Sequence, residues 1–324
     1  NALAADAQAK ARSVILVFQE GGLSQVDSWD PKPNSSFKSI PTNVPGVHFG
    51  ELFPRLARQM NKVAVIRSMH TVHNIHTEAT HYAMTGHKIN ASMKFPSFGS
   101  IVTKELPTQG AIPPHLALSQ FSNTYKDFLK GHIIDAKYDP MYLPQAGQPA
   151  DAKDPVDEYK VPDLSLPDSV TKDQVEDRRT LLNLVDRQYR RNVEIAEFLA
   201  MDDYVEQAWN MILSPDVRDA FDLSQESAKT RDTYGRDISG QSMLLARRMI
   251  EAGSRFVTGQ SNKWATHSPH DTQMKDKLAE PLDRTVSVLL DDLEHRGLLG
   301  IDVEIETREH VKKRRAASCR FAEV

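Results

Sequence analysis

The stretch SVILVFQEGG (Ser13 to Gly22) decides the fold. Val14 to Phe18 is an unbroken apolar, β-branched run, and polar Gln19 and Glu20 lead it into two glycines. A run of that kind, with no alternation, suits a strand buried on both faces, and the glycine pair suits a tight loop at its end. Such strands sit in parallel sheets sandwiched between helices, so the rest of the chain has to supply both. KVAVIRS (Lys62 to Ser68) reads as a second buried strand, HLALSQ as a third and SRFVTGQ as a fourth. Between them GELFPRLARQM, SFGSIVTKEL, Arg178 to Leu213, GQSMLLARRMIEAG and AEPLDRTVSVLLDDLEHRGLL carry apolar residues at helical spacing. Gly253 and Gly297 close the last two of these. The alternation predicts an α/β fold, with a mainly parallel central sheet and helices on both faces.

Composition narrows the function. The chain has 324 residues, enough for a substantial core, and its net charge of −4 gives no reason to expect nucleic acid as a partner. One cysteine, Cys319, excludes an internal disulfide framework and any multi-cysteine metal site. No apolar run approaches the roughly twenty residues of a membrane span. The opening residues NALAADAQAKARS lack an initiator Met and are rich in small side chains, as around a secretory cleavage site. Residues 1–12 are therefore expected to be the remnant left by removal of a leader, with an exported or periplasmic location; a fragment or a ragged cytosolic terminus is the alternative. Residues 13–299 form the expected domain, interrupted by a Pro/Asp-rich surface excursion over 139–175. Residues 300–324 form a separate tail.

In parallel sheets the chemistry lies in loops at the carboxyl ends of strands. Three segments there carry reactive side chains: GGLSQVDSWD (Gly21 to Asp30), MHTVHNIHTE (Met69 to Glu78) and SNKWATHSPHD (Ser261 to Asp271). The second belongs to a stretch with five histidines, His70, His73, His76, His81 and His87. Thr77 is placed to cap a helix there, with Glu78 in the first turn and Gly86 at the end. HTEATH is not a zinc-protease motif, because His76 and His81 are five apart and leave the shared helical face. The unremarkable reading of His81 and His87 is packing or surface. That of Ser24 and Asp27 is a glycine turn whose polar side chains cap the next segment.

Taken together, GGLSQVDSWDPKP, VIRSMHTVHNIH with its later Thr-Gly pair, AFDLSQESAKTRDTYG, LLARRMIEAGSRFV and LLDDLEHRGLL resemble the bacterial family called domain of unknown function 1501. That family is common in planctomycetes and falls in the alkaline phosphatase/sulfatase superfamily. The resemblance runs from about Ala11 to Leu299 and implies an alkaline-phosphatase-like fold. It also implies a divalent cation (zinc, calcium or manganese) at the strand ends, acting on small-molecule or polysaccharide phosphate or sulfate esters. In that superfamily the nucleophile stands nine positions before a helix-closing Thr-Gly pair. Here Thr85 and Gly86 supply the pair and His76 occupies the nucleophile's position, as ligand, acid/base or phosphoryl acceptor. Asp27, His267 and His73 are the implied metal ligands, and Ser24 is an oxyanion contact or a reserve nucleophile.

The chain departs from the family pattern in two places. WATH (Trp264 to His267) stands where most members read WDTH, so Ala265 replaces a carboxylate, with His270 and Asp271 nearby as substitutes. After Leu299 the expected GEFGRTP-like and GRDHW-like segments give way to a tail with a basic run, so the C-terminal strands are expected to be incomplete. A sheet short of a strand exposes an edge, and lowered stability and aggregation are expected with it. Two functions are open: an exported metal-dependent hydrolase, impaired in this chain, or a noncatalytic remnant or binding protein of the same fold.

Overall fold

The computed structural model describes residues 12–71, 73, 75–106, 111–118, 122–143, 170–171, 173–175, 177–178, 180–181, 209, 211, 214–260, 264–266, 268–299 and 302–306, the last group by its backbone. The strands are β1 (Val14–Phe18), β2 (Ser39–Pro41), β3 (His48–Gly50), β4 (His115–Leu118), β5 (Met141–Leu143), β6 (Phe256–Gln260) and β7 (Asp302–Glu306). The helices are α1 (Pro54–Ala57), α2 (His76–Thr85), α3 (Phe98–Glu105), α4 (Asn123–Phe128), α5 (Pro215–Phe221), α6 (Ala228–Tyr234), α7 (Ile238–Glu251), α8 (His270–Gln273) and α9 (Ala279–His295).

Five strands form one sheet in the order β5-β4-β6-β1-β7, and every neighbouring pair is parallel. β1 lies in register with β6, Ile15 beside Val257 and Val17 beside Gly259. The pleat sends alternate residues to opposite faces. Ile15, Val17, Leu116, Leu118 and Val257 enter the larger core with Met243, Leu244, Val286 and Leu289 of α7 and α9. Leu16, Phe18, Ala117 and Phe256 enter a smaller core with Met84 of α2 and Tyr125 and Phe128 of α4. The expected α/β architecture with helices on both faces is therefore present. Among the described residues, no helix is long and apolar enough to cross a membrane.

Local readings differ in several places. Lys62 to Ser68 forms no strand: residues 63–66 are irregular, with Val63 and Val65 packed on the core and Ile66 exposed. The run therefore adds side chains to the larger core without adding a strand to the sheet. GELFPRLARQM yields only the short α1 and a 3-10 turn over Met60–Lys62. The excursion opens with β5, which extends the sheet through apolar Met141–Leu143, and residues 144–169 lie outside the described residues. Most of the helix expected over Arg178 to Leu213 also lies outside them. In the tail, where the C-terminal strands were expected to be incomplete, one strand, β7, lies beside β1.

Candidate functional site

The loop after β1 is shaped by close backbone approach. Gly21 has φ +95°, and a Cβ there would come within 2.3 Å of the Ala265 amide nitrogen, so the loops after β1 and β6 touch at this point. The Trp264 amide donates to the Glu20 carbonyl at 2.6 Å and joins the same two loops. Gly50 of β3 lies against the backbone of Asp27, and its amide donates to the Ser28 carbonyl at 2.6 Å. Trp29 then packs on Phe49 and Phe53, with centroids 4.9 and 5.0 Å away. The 3-10 turn Gln25–Asp27 is thereby wedged between sheet and hairpin.

Asp27 is buried at the centre of this arrangement. Its Oδ1 accepts from the Ser35 hydroxyl, and its Oδ2 accepts from the Ser24 hydroxyl and meets His270 Nε2 at 3.0 Å. On the far side of the ring, His270 Nδ1 lies 2.6 Å from Thr266 Oγ1. Burial pushes the Asp27 carboxyl up, but the hydrogen bonds from Ser24, Ser35 and His270 outweigh it and hold the group below the usual carboxylate value. Three residues farther on, Asp30, His48 and Arg67 help line a shallow cleft of about 300 Å³. Arg67 Nε donates to the Trp29 carbonyl at 3.1 Å, and Asp30 lies 3.7 Å away.

The histidine segment folds differently from the expected cap. α2 begins at His76 and its N-cap is Ile75, two residues earlier than the Thr77 reading requires, so Thr77 lies inside the first turn. Glu78 does lie in the first turn, and Gly86, with φ +74°, ends the helix. His76 stands half-buried at the helix N-terminus. His73 Nδ1 pairs with Glu78 Oε2 at 3.1 Å, while its Nε2 is buried without a hydrogen-bond partner among the described residues. His81 is buried, its Nδ1 3.5 Å from the Thr85 hydroxyl and its ring edge-on to Phe128; burial lowers its pKa. His87 stacks on Phe95 with centroids 4.0 Å apart. His81 is a packing residue, and His87 is an exposed one.

The structure thus joins Ser24 to Asp27 and brings in His270 and not Asp271, which is exposed. None of Asp27's three side-chain partners comes from the histidine segment. His267 lies outside the described residues. Among the described residues no three His, Cys, Asp or Glu side chains gather as a metal site.

Sequence reasoning passed over Ser35, Thr266 and Gln19. Gln19 is fully buried at the end of β1, and among the described residues neither atom of its side-chain amide has a partner. Unmet buried polar groups are rare in folded proteins. The available signal was its position, the first polar residue after VILVF.

No curated protein and no solved structure matches the chain. A family model described as "Protein of unknown function (DUF1501)" matches residues 11–301, nearly the whole chain, which therefore belongs to that family.

Proposed function

We propose that the chain is a hydrolase of phosphate or sulfate esters, with the alkaline-phosphatase-like ancestry its motifs resemble, working at the carboxyl end of the sheet. One observation carries the reading: buried Asp27 meets the half-exposed imidazole of His270 where the loops after β1 and β6 touch. A buried carboxylate orienting an imidazole is a proton-handling unit, and strand ends of parallel sheets are where such units work. The Arg67 guanidinium, in the cleft beside Asp30, offers a positive charge suited to an anionic ester.

A divalent cation fits this donor set only in part. Asp27 and His270 supply one carboxylate and one imidazole, whereas a catalytic cation usually keeps about three protein ligands. Zinc, calcium or manganese would have to draw on His267 as well, and would supply charge neutralisation at the ester oxygens. His73 pairs with Glu78 through Nδ1 and keeps Nε2 for a further contact. The noncatalytic reading is favoured by Ala265 standing where the family pattern has a carboxylate.

Aryl phosphate and aryl sulfate turnover, measured with and without each of the three cations, separates the readings. The hydrolase reading expects turnover of at least one ester class. No turnover under any condition would leave the noncatalytic protein.

A further inference from the structure

The Asp27–His270 pair does not end at the imidazole. His270 Nδ1, the nitrogen facing away from Asp27, lies 2.6 Å from Thr266 Oγ1. An ionised carboxylate can only accept, so in the neutral ring the proton sits on Nε2 and is donated to Asp27 Oδ2. Nδ1 then carries the lone pair, and the Thr266 hydroxyl donates to it. Hydroxyl, imidazole and carboxylate stand in the order that activates an alcohol nucleophile, with the orienting carboxylate deepest. The Asp27 side chain is 8% exposed and that of His270 33% exposed, and Thr266 is half-buried. The Ser24 hydroxyl, by contrast, is bonded directly to the Asp27 carboxylate with no imidazole between them.

In a proposal that rests on the hydrolase reading, we infer that Thr266 is the nucleophile, His270 the proton carrier and Asp27 the positioning residue, on a phosphate or sulfate monoester. Thr266 Oγ1 attacks phosphorus or sulfur while its proton passes to His270 Nδ1. The Oγ1–P or Oγ1–S bond forms, the bond to the leaving oxygen breaks, and the imidazolium returns the proton to that oxygen, releasing the alcohol. Water then attacks the modified threonine and gives its proton to Nδ1. The Oγ1 bond breaks, and Thr266 recovers the proton as inorganic phosphate or sulfate leaves. Ester and water are consumed, alcohol and oxyanion are produced, and no redox partner is needed. His76, at the position suggested by the family spacing, is not the attacking group in this scheme.

The test uses the full chain with aryl phosphate and aryl sulfate, quenched in acid at several times during turnover and mapped by peptide mass spectrometry. A phosphoryl or sulfuryl group on Thr266 is expected. Thr266→Ala should lose that group and slow turnover by roughly 10³-fold or more, while Thr266→Ser keeps both. A merely structural threonine would carry no covalent group. Turnover by Thr266→Ala within about tenfold of the parent would overturn Thr266 and leave the hydrolase reading standing. A trapped group on Ser24, or parent turnover with nothing on Thr266 at any quench time, would do the same. Absence of turnover by the parent chain would remove both proposals together.

Discussion

Single residues show how far local pattern and tertiary setting diverge. His115 was legible as part of a strand, yet its apolar neighbours Leu116, Ala117 and Leu118 say nothing of its protonation. In the fold its ring is buried against Phe256, with Nδ1 3.3 Å from the Tyr138 carbonyl and Nε2 without a partner among the described residues. Burial drives its pKa from 6.5 down to about 4. The folded value lies below the unfolded one, so between those limits the unfolded chain binds more protons, and stability is lost as the pH falls from 6.5 toward 4. The loss should reach about 3 kcal/mol across that window. Denaturant titrations at stepped pH should show the slope in the parent chain and a shallower one in His115→Leu; equal slopes would contradict the assignment. Asp27 was likewise visible from GGLSQVDSWD, whereas its partner His270, 243 positions away, was one of two substitutes that spacing could not separate. The contact between the two loops, made possible by Gly21, selects it.

At the scale of elements, β1, β4, β6, α3, α7 and α9 are where apolar runs and helical spacing put them, because a strand buried on both faces leaves an unbroken apolar run and a helix buried on one face leaves three-to-four spacing. Lys62 to Ser68 has the composition of a strand, but Val63 and Val65 pack on the larger core without adding a strand to the sheet. What joins the helices was not legible. Arg247 of α7 is fully buried, with Nη2 2.8 Å from Glu226, Nη1 2.6 Å from Glu251 and Nε 3.0 Å from Asp292 of α9. The Tyr234 hydroxyl of α6 donates to Asp292 at 2.9 Å, and Arg296 pairs with Asp292 and Glu251. Helical spacing offers the i,i+4 pair with Glu251, but it cannot show that one arginine of an Arg-Arg pair is buried against Glu226 and Asp292 from outside its own helix. Removing it takes the one fully buried cation from the cluster and leaves Arg248 on Glu226 and Arg296 on Glu251 and Asp292, so Arg247→Ala should cost about 3 kcal/mol in chemical denaturation. A loss below about 1 kcal/mol would mean that the network behaves as exposed surface pairs.

For the whole molecule, the sheet order explains why the candidate site gathers residues from opposite ends of the chain. β1 and β6 are neighbours and parallel, so the loops leaving their carboxyl ends emerge side by side, carrying Ser24 and Asp27 from one and Thr266 and His270 from the other. The sequence pattern showed that both loops belong at strand ends. It could not show that their strands are adjacent, because strand order leaves no periodic trace. The central claim is that this junction is a hydrolytic centre. It is tested most directly by kcat/KM for an aryl phosphate and an aryl sulfate, measured on the parent chain, Asp27→Asn and His270→Gln, with the fold of each variant checked by thermal melting. A parent that turns over at least one ester, with both folded variants slower by roughly 10²-fold or more, is the predicted result. Folded variants as active as the parent would place the chemistry elsewhere and contradict the account.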